Sequence, residues 1–260
     1  YGNGLKFINL QFYYIIAKRA RSISAAIFYK TAFNAALLCA ILITEGYKRS
    51  ISMKQVILSC PTLKKEILHL IDELNLDTPV YFLPKRLHSN PQELAEYLQN
   101  TIDSFANVDR ILICVSGCGG GTAKLRATTA ELVIPKTRDC VDILLSKTDI
   151  KSINRAPKGI FMTESWLDFM RSGSLNLETQ IAEKGEEEGK AYLRKMFKGF
   201  EHFYVVDTGT YNTQAVVDEL KPLVDVLDGT IEVIGGGYSI LRKLLTGDID
   251  GDFRVIAKEG

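Results

Sequence analysis

The fold is decided by residues 110–140, RILICVSGCGGGTAKLRATTAELVIPKTRDC, in which two short apolar runs flank a glycine cluster. The runs ILICV and LVIP contain no charged residue, which is typical of strands that are buried on both faces of a parallel sheet. Glycines directly after a strand permit a tight turn, and they also let backbone N–H groups approach an anion. Both interpretations of the glycine cluster stay open at this point.

The same alternation continues from Met53 to the end of the chain. Helical stretches separate the apolar runs QVILSC, PVYFLP, RILICVS, AELVIP, GIFMTES, HFYVVDTG, TIEVIGG and FRVIAKEG. Asn90 and Pro91 are typical of an N-cap and a first helical residue. The alternation predicts an α/β fold of Rossmann-like βαβ units with parallel sheets. We expect residues 53–260 to form one domain, or two halves that divide near residues 160–200, with a polar helical insertion near 166–199.

Residues 1–52 differ in composition from the rest of the chain. They contain seven Lys or Arg residues, one acidic residue and an uncharged apolar run, TAFNAALLCAILIT, of fourteen residues. That run is shorter than the ~20 residues that cross a bilayer. Three interpretations are open: a basic and apolar anchor, a targeting peptide, or sequence translated upstream of a start at Met53. We favour the third, so a membrane contact is expected only if residues 1–52 form an anchor.

The overall composition argues against a nucleic-acid partner. The 260 residues carry a formal net charge of +1, and 24% of them are charged, as in ordinary globular proteins. No small-residue cleavage site follows the apolar run, so a secretory signal is not indicated. We therefore expect a cytoplasmic protein whose cysteines are reduced thiols or metal ligands.

Three cysteines follow the ends of predicted strands. Cys60, Cys118 and Cys140 come after the first, third and fourth apolar runs. Because the carboxyl ends of parallel strands share one edge of a sheet, these thiols can meet there. Thiolates are ligands of zinc and of iron–sulfur clusters, so the pattern predicts one of these metal centres. No CxxC spacing is present, and inert buried thiols are the alternative, as expected for Cys114 within a strand.

Two further residues are candidates for catalytic roles. His88 lies in the loop after the second strand, where it can be a fourth ligand or a general acid or base. The alternative is that His88 only helps to cap the helix that starts after Asn90. Asp139 precedes Cys140, and we expect its carboxylate to orient a metal ligand from outside the coordination sphere.

Cations beside the glycine cluster suggest a small anionic substrate. A nucleotide is not indicated, since no Gly-Lys-Ser/Thr motif is present and the dinucleotide pattern fits only loosely. The alternative is that these cations are solvated residues of an exposed loop without a ligand. The predicted substrate-binding residues are Gly119, Gly120, Gly121, Thr122, Lys124, Arg126, Arg138 and Asp207.

Six motifs carry a resemblance to a known family. They are ILSCPTLKKEI, FLPKRLHSNPQEL, GCGGGTAKLRA, LVIPKTRDCVDILLS, TESWLDF and VVDTGTYN. Over residues 53–260 the chain resembles domain of unknown function 1638, which is common in methanogenic archaea and anaerobic bacteria. In that family the cysteines, the histidine and the aspartate that match the candidates above recur. This chain departs from it at Pro61 and Ser165, where glycine is usual, and at Arg138, where many members have histidine and where pairing with an anion is favoured instead.

The resemblance implies a role in anaerobic one-carbon metabolism beside corrinoid-dependent methyltransferases, without implying a defined reaction. The leading hypothesis is a metal-binding protein, with zinc or an iron–sulfur cluster, that acts on a small anionic substrate. A corrinoid would be reached only through a partner, a corrinoid protein or a methyltransferase. The alternatives are a metal-free thiolate transferase and a non-enzymatic module that delivers metal to such a system.

Overall fold

The computed structural model describes residues 53–171 and 173–259. The predictions for residues 1–52 therefore lie outside the described residues. Met53–Gly260 form one compact unit. Within the described ranges, no helix combines the length and the apolar character that crossing a membrane requires.

Helices and strands alternate along the described chain, as predicted. The strands are β1 (Gln55–Ser59), β2 (Val80–Phe82), β3 (Arg110–Cys114), β4 (Glu131–Pro135), β5 (Gly159–Met162), β6 (His202–Asp207), β7 (Thr230–Gly235) and β8 (Phe253–Ile256). The helices are α1 (Lys64–Glu73), α2 (Pro91–Ser104), α3 (Cys140–Leu145), α4 (Glu164–Met170), α5 (Leu177–Lys184), α6 (Glu186–Met196), α7 (Thr213–Val226) and α8 (Ser239–Thr246).

The strands form two sheets. The first has the order β2-β1-β3-β4-β8, and the second has the order β5-β6-β7. All pairings are parallel except that of β8 with β4, which is antiparallel. The predicted α/β fold with parallel βαβ units is confirmed. β8 departs from the parallel pattern because the strand before it, β7, lies in the other sheet, so β8 does not complete a βαβ unit.

Burial explains the continuous apolar runs of the first sheet. In β1, β3 and β4 every residue after the first is buried, as expected for parallel strands that are covered on both faces. A second hydrophobic cluster lies at the second sheet and includes Phe203 and Val205 of β6 and Leu193 of α6. Helices α4, α5 and α6 lie between β5 and β6 and form the predicted helical insertion.

Side-chain caps fix the helix starts near the strand ends. The Asn90 side chain accepts a hydrogen bond from the Glu93 N–H at 3.2 Å, and Pro91 is the first residue of α2, which confirms the predicted start. The Asp139 carboxylate caps α3 in the same way, at 3.1 Å from the Asp142 N–H. Each cap satisfies a backbone donor that the first helical turn leaves unpaired.

Close backbone packing accounts for the glycines at the end of β7. Gly236 and Gly237 donate hydrogen bonds to the carbonyl oxygens of Asp207 and Leu144, both at 2.8 Å. A Cβ on Gly237 would lie 2.7 Å from the carbonyl oxygen of Ser146. These two N–H groups are therefore engaged within the chain, and the glycines permit a close approach between β7 and the end of α3.

A Gly237→Ala substitution is expected to lower the free energy of unfolding by about 1–3 kcal/mol, because the added methyl group meets backbone that cannot rotate away. Gly235→Ala is the matched control, since a Cβ there meets nothing within 4 Å. Urea denaturation of the full chain measures both. Equal midpoints for the two variants would contradict the close-packing account.

Candidate functional site

The structure brings the three predicted cysteines into one cluster. Cys60 follows β1 and precedes a 3-10 turn, Cys118 begins the 3-10 turn after β3, and Cys140 is the first residue of α3. The Cys140 thiol lies close enough to the thiols of Cys60 and Cys118 for both to shift its pKa. Three segments that are far apart in sequence therefore bring their thiols together around Cys140 at one edge of the first sheet.

His88 lies beside this cluster. It belongs to a 3-10 turn, Lys85–Ser89, and its side chain lies close enough to the Cys60 sulfur to lower the pKa of that thiol. Its ring packs edge-on against Trp166 and Phe169 of α4, with ring centroids 5.1 and 5.0 Å apart. Two aromatic side chains of the helical insertion thus hold the imidazole beside Cys60.

The thiols differ in their acidity. A hydrogen bond from Cys140, followed by those from His88 and Thr62, lowers the pKa of Cys60 against the opposing effect of burial. The Thr62 hydroxyl lies 3.0 Å from the Cys60 sulfur. Hydrogen bonds to Cys118 and Cys60, together with burial, raise the pKa of Cys140. Cys60 is therefore favoured over Cys140 as the thiolate.

The chemistry of these donors suits a metal, although their arrangement is not a closed coordination site. Thiolate sulfur and imidazole nitrogen are the donors that zinc and iron–sulfur clusters use. Among the described residues, no three His, Cys, Asp or Glu side chains are arranged so that they could hold a metal ion. A metal proposal therefore depends on donor chemistry and on convergence of the thiols.

An ion-pair network supports the start of α3. The Asp139 carboxylate, besides capping α3, pairs with Arg155 at 2.5 Å. Arg155 also contacts Asp142 at 3.3 Å, and its guanidinium carbon lies 4.9 Å from the centre of the Phe161 ring. Arg138 binds the two carboxylate oxygens of Asp142 at 2.7 and 2.8 Å. Asp139 and Arg155 thus hold the helical turn that carries Cys140.

Asp142 is the buried centre of this network, with 2% of its surface exposed. Burial acts to raise its pKa, but the hydrogen bonds and charge of Arg138 and the charge of Arg155 outweigh burial and lower the pKa. Sequence reasoning missed Arg155, because it lies in the irregular chain between α3 and β5, where no periodic pattern marks a residue as facing the site.

The glycine cluster after β3 is a tight turn. Cys118, Gly119 and Gly120 have φ angles of 40°, 66° and 95°, a region that favours glycine. The N–H groups of Gly120 and Gly121 donate to carbonyl oxygens of the same turn. The buried Thr122 hydroxyl donates a hydrogen bond to the Ser116 carbonyl oxygen at 3.1 Å. In this structure the cluster serves to present the Cys118 side chain.

The charged residues that were predicted to bind substrate are exposed or are engaged by other groups of the chain. Lys124 and Arg126 are exposed, and Arg138 is engaged with Asp142. Asp207 is exposed at the end of β6, where its carboxylate accepts a hydrogen bond from the Gly209 N–H. Of the eight predicted substrate-binding residues, Gly119 lines the cavity described next, and the other seven do not.

A cavity of about 450 Å³ opens beside the thiols. Its polar lining consists of Cys118, Cys140, His88, Thr62, Asp139 and Arg155. Its remaining wall, contributed largely by β5 and the helical insertion, is mostly apolar and includes Ile160, Phe161, Met162, Trp166, Met170, Leu175, Phe197, Phe200 and Phe203. Sequence reasoning missed this wall, although the aromatic side chains of TESWLDF in α4 are a signal that a buried face lies there.

A family model described as "Protein of unknown function (DUF1638)" matches residues 82–245. The chain belongs to this family. The match includes His88, Cys118 and Cys140, and Cys60 lies before it. No curated protein and no solved structure matches the chain. The DUF1638 resemblance seen in the sequence is thereby confirmed, and the comparisons add no named activity.

The DUF1638 chain has a second buried polar site that sequence reasoning missed. Glu66 of α1 is fully buried, and its Oε1 accepts hydrogen bonds from the hydroxyls of Thr208 and Thr210 at 2.9 and 3.3 Å. Its Oε2 has no hydrogen-bond partner in the described structure. Burial raises the pKa of this carboxyl group. A signal was available, since Glu66 lies on the same face of α1 as the buried Leu70.

Glu66→Gln is expected to remove a pH dependence of stability. The raised pKa means that the folded state keeps a proton that the unfolded chain loses, so wild-type stability falls as pH rises from the usual glutamate range towards neutrality. The variant should therefore gain stability relative to wild type across that window. Urea denaturation at a series of pH values measures the difference in unfolding free energy.

Glu73→Gln on the same helix is the control of opposite sign. Its hydrogen bonds with Arg242 lower the pKa of Glu73, so the wild type gains stability as this group ionises. Relative to wild type, Glu73→Gln should lose stability as pH rises. A Glu66→Gln difference that does not change with pH would contradict the burial account.

Proposed function

We propose that this DUF1638 protein binds a metal, zinc or an iron–sulfur cluster, through Cys60, Cys118 and Cys140. His88 would serve as a fourth ligand or as a general acid or base beside the centre. The observation that carries the proposal is the convergence of three thiols from three strand ends, two of which, Cys118 and Cys140, line a cavity. Three protein ligands with a remaining position towards a cavity are typical of centres that act on a substrate.

The remaining cysteine of the first sheet shows what a merely structural thiol looks like here. Cys114 lies within β3, is fully buried, and has a pKa that burial raises. Cys60, in contrast, interacts with Cys140 and His88, and Cys140 lines a cavity. Packing alone does not require three polarizable sulfur atoms to be grouped, since a free cysteine packs as a small hydrophobic residue anywhere in a core.

The supporting residues fit the proposal. The Asp139 carboxylate, held by Arg155, fixes the first turn of α3 and with it the position of Cys140. The predicted role of Asp139 in orienting a ligand would thus act through the helix start. The Thr62 hydroxyl donates to Cys60, a contact that stabilises a ligating thiolate.

The second candidate is a metal-free transferase in which Cys60 is the nucleophile. It is favoured by the lowered pKa of Cys60 and by the unclosed arrangement of the described donors. The Cys60 thiolate would form a bond to an electrophilic carbon, whose leaving group departs with the electron pair of the broken bond. His88 would supply the proton that the leaving group takes up.

The proposed cellular setting follows from the resemblance to DUF1638. We place the protein in the cytoplasm, in anaerobic one-carbon metabolism, with a corrinoid protein or methyltransferase as partner. A non-enzymatic role in metal delivery would give labile metal and co-purification with such a partner. The small anionic substrate stays a prediction from Lys124, Arg126 and Arg138, none of which lines the cavity.

Metal analysis after purification of the full chain without oxygen tests the proposal. Iron, acid-labile sulfide and zinc are measured per chain for wild type, Cys60→Ser, Cys118→Ser and Cys140→Ser. Cys114→Ser is the matched control, because Cys114 lies outside the cluster. We expect about one centre per chain in wild type and in the control, and loss of the centre in each of the other three variants.

A folded wild-type protein that takes up neither zinc nor iron and sulfide under reducing conditions would contradict the metal proposal. The second candidate is then decided on the same metal-free samples. It requires Cys60 to react with iodoacetamide faster than Cys114 at a pH below the usual thiol pKa. It also requires that the rate of alkylation of Cys60 be lower in His88→Ala than in wild type. Equal rates for the two cysteines would exclude it.

A further inference from the structure

We propose that the cavity beside the thiols binds an uncharged, predominantly apolar small molecule. Its body would fill the aromatic part of the cavity, and its reactive end would reach the cysteines. The assignment of the reactive end rests on the proposed function. The assignment of the apolar body depends only on the cavity itself.

The composition of the wall is the first argument. Trp166 comes from α4, Phe161 from β5, and Phe197 and Phe200 follow α6, so aromatic rings border the cavity from separate elements. Rings from separate elements offer flat, apolar contact to a bound molecule from more than one side. Ligand pockets are typically lined in this way, with few polar groups to fix orientation.

The charges at the cavity are the second argument. The charged lining residues are Asp139 and Arg155, and they neutralise each other as an ion pair. Arg155 also contacts Asp142 and lies over the Phe161 ring, so its guanidinium is already engaged. An anion would have to leave water without gaining an unpaired cation among the described lining residues. Burying a charge without a partner is costly, whereas an apolar body gains from burial.

The size and the rim of the cavity are the third argument. Its volume of about 450 Å³ lies in the range of small-molecule sites and suits an aromatic ring with a short side chain. Met162 and Met170 in its wall can adapt to the shape of a bound molecule. Phe200 lines the cavity with 40% of its surface exposed, which places an apolar side chain at the entrance.

Fluorescence of the full chain tests the proposal. Trp166 is the single tryptophan of the sequence, and it lines the cavity, so energy transfer from it reports a bound dye, and the variants below locate that dye in the cavity. The probe is N-phenyl-1-naphthylamine, which is neutral and apolar. The competitors are 4-phenylbutanol and 4-phenylbutyrate, which share a carbon skeleton and differ in charge. We expect the alcohol to displace the dye at a concentration at least about tenfold lower than the carboxylate.

Phe200→Ala should weaken dye binding by about fivefold or more, because it removes an apolar ring from the rim. Met196→Ala is the control, since Met196 is a nearby exposed apolar residue that does not line the cavity. Displacement by the carboxylate at an equal or lower concentration would overturn the proposal. The absence of energy transfer from Trp166 to the dye would also overturn the proposal. An equal loss of dye affinity in Phe200→Ala and Met196→Ala would overturn it as well.

The outcome of the dye-binding experiment can be distinguished from the outcome of the metal analysis that tests the proposed function. Dye binding should persist in Cys60→Ser and Cys140→Ser, because the apolar wall does not include these sulfurs. A protein that binds metal but not the dye would overturn only the present inference. A protein that binds the dye but neither metal nor a thiol reagent at Cys60 would overturn only the proposed function.

Discussion

Parallel pairing of β1, β3 and β4 is the constraint on which the rest of the site depends. It aligns the carboxyl ends of three strands along one edge of the first sheet, and the chain leaves each strand there through a short turn or helix start. The segment that follows each of these three strands contains one cysteine of the cluster. A change of register or direction in one of these strands would separate the thiols, so the chemistry is tied to the sheet topology and not to a local motif.

Side chains from elsewhere then complete the environment that the sheet edge begins. The helical insertion supplies Trp166 and Phe169, which hold His88 against Cys60, and much of the apolar wall. Arg155 joins Asp139 and Asp142 and so fixes the turn that carries Cys140. An exposed ion pair adds little stability, but a nearly buried carboxylate such as Asp142 becomes costly when its partners are removed. Stability and positioning of the thiol therefore depend on the same contacts.

Sequence reasoning could predict the fold and the thiol cluster because both follow from periodicity. Cys60, Cys118 and Cys140 stand where apolar runs end, and parallel sheets gather such positions. Arg155 needed three-dimensional information, since it lies in irregular chain where no periodic pattern marks its direction. The hydroxyl partners of Glu66 lie 142 and 144 residues further along the chain. The antiparallel β8 was equally hidden, because sequence does not show which sheet a terminal strand joins. Lys124 and Arg126 are close to Cys118 in sequence, but side-chain direction turns them to solvent.

Cross-linking of the thiols tests the central claim, that three cysteines form one cluster, most directly. The metal-free full chain with Cys39→Ser and Cys114→Ser is treated with dibromobimane, which becomes fluorescent only when both bromomethyl groups have reacted with thiols. The account predicts intramolecular bridges that join Cys140 to Cys60 or to Cys118, identified by peptide mass. Single adducts without bridges, in protein that remains folded, would contradict it.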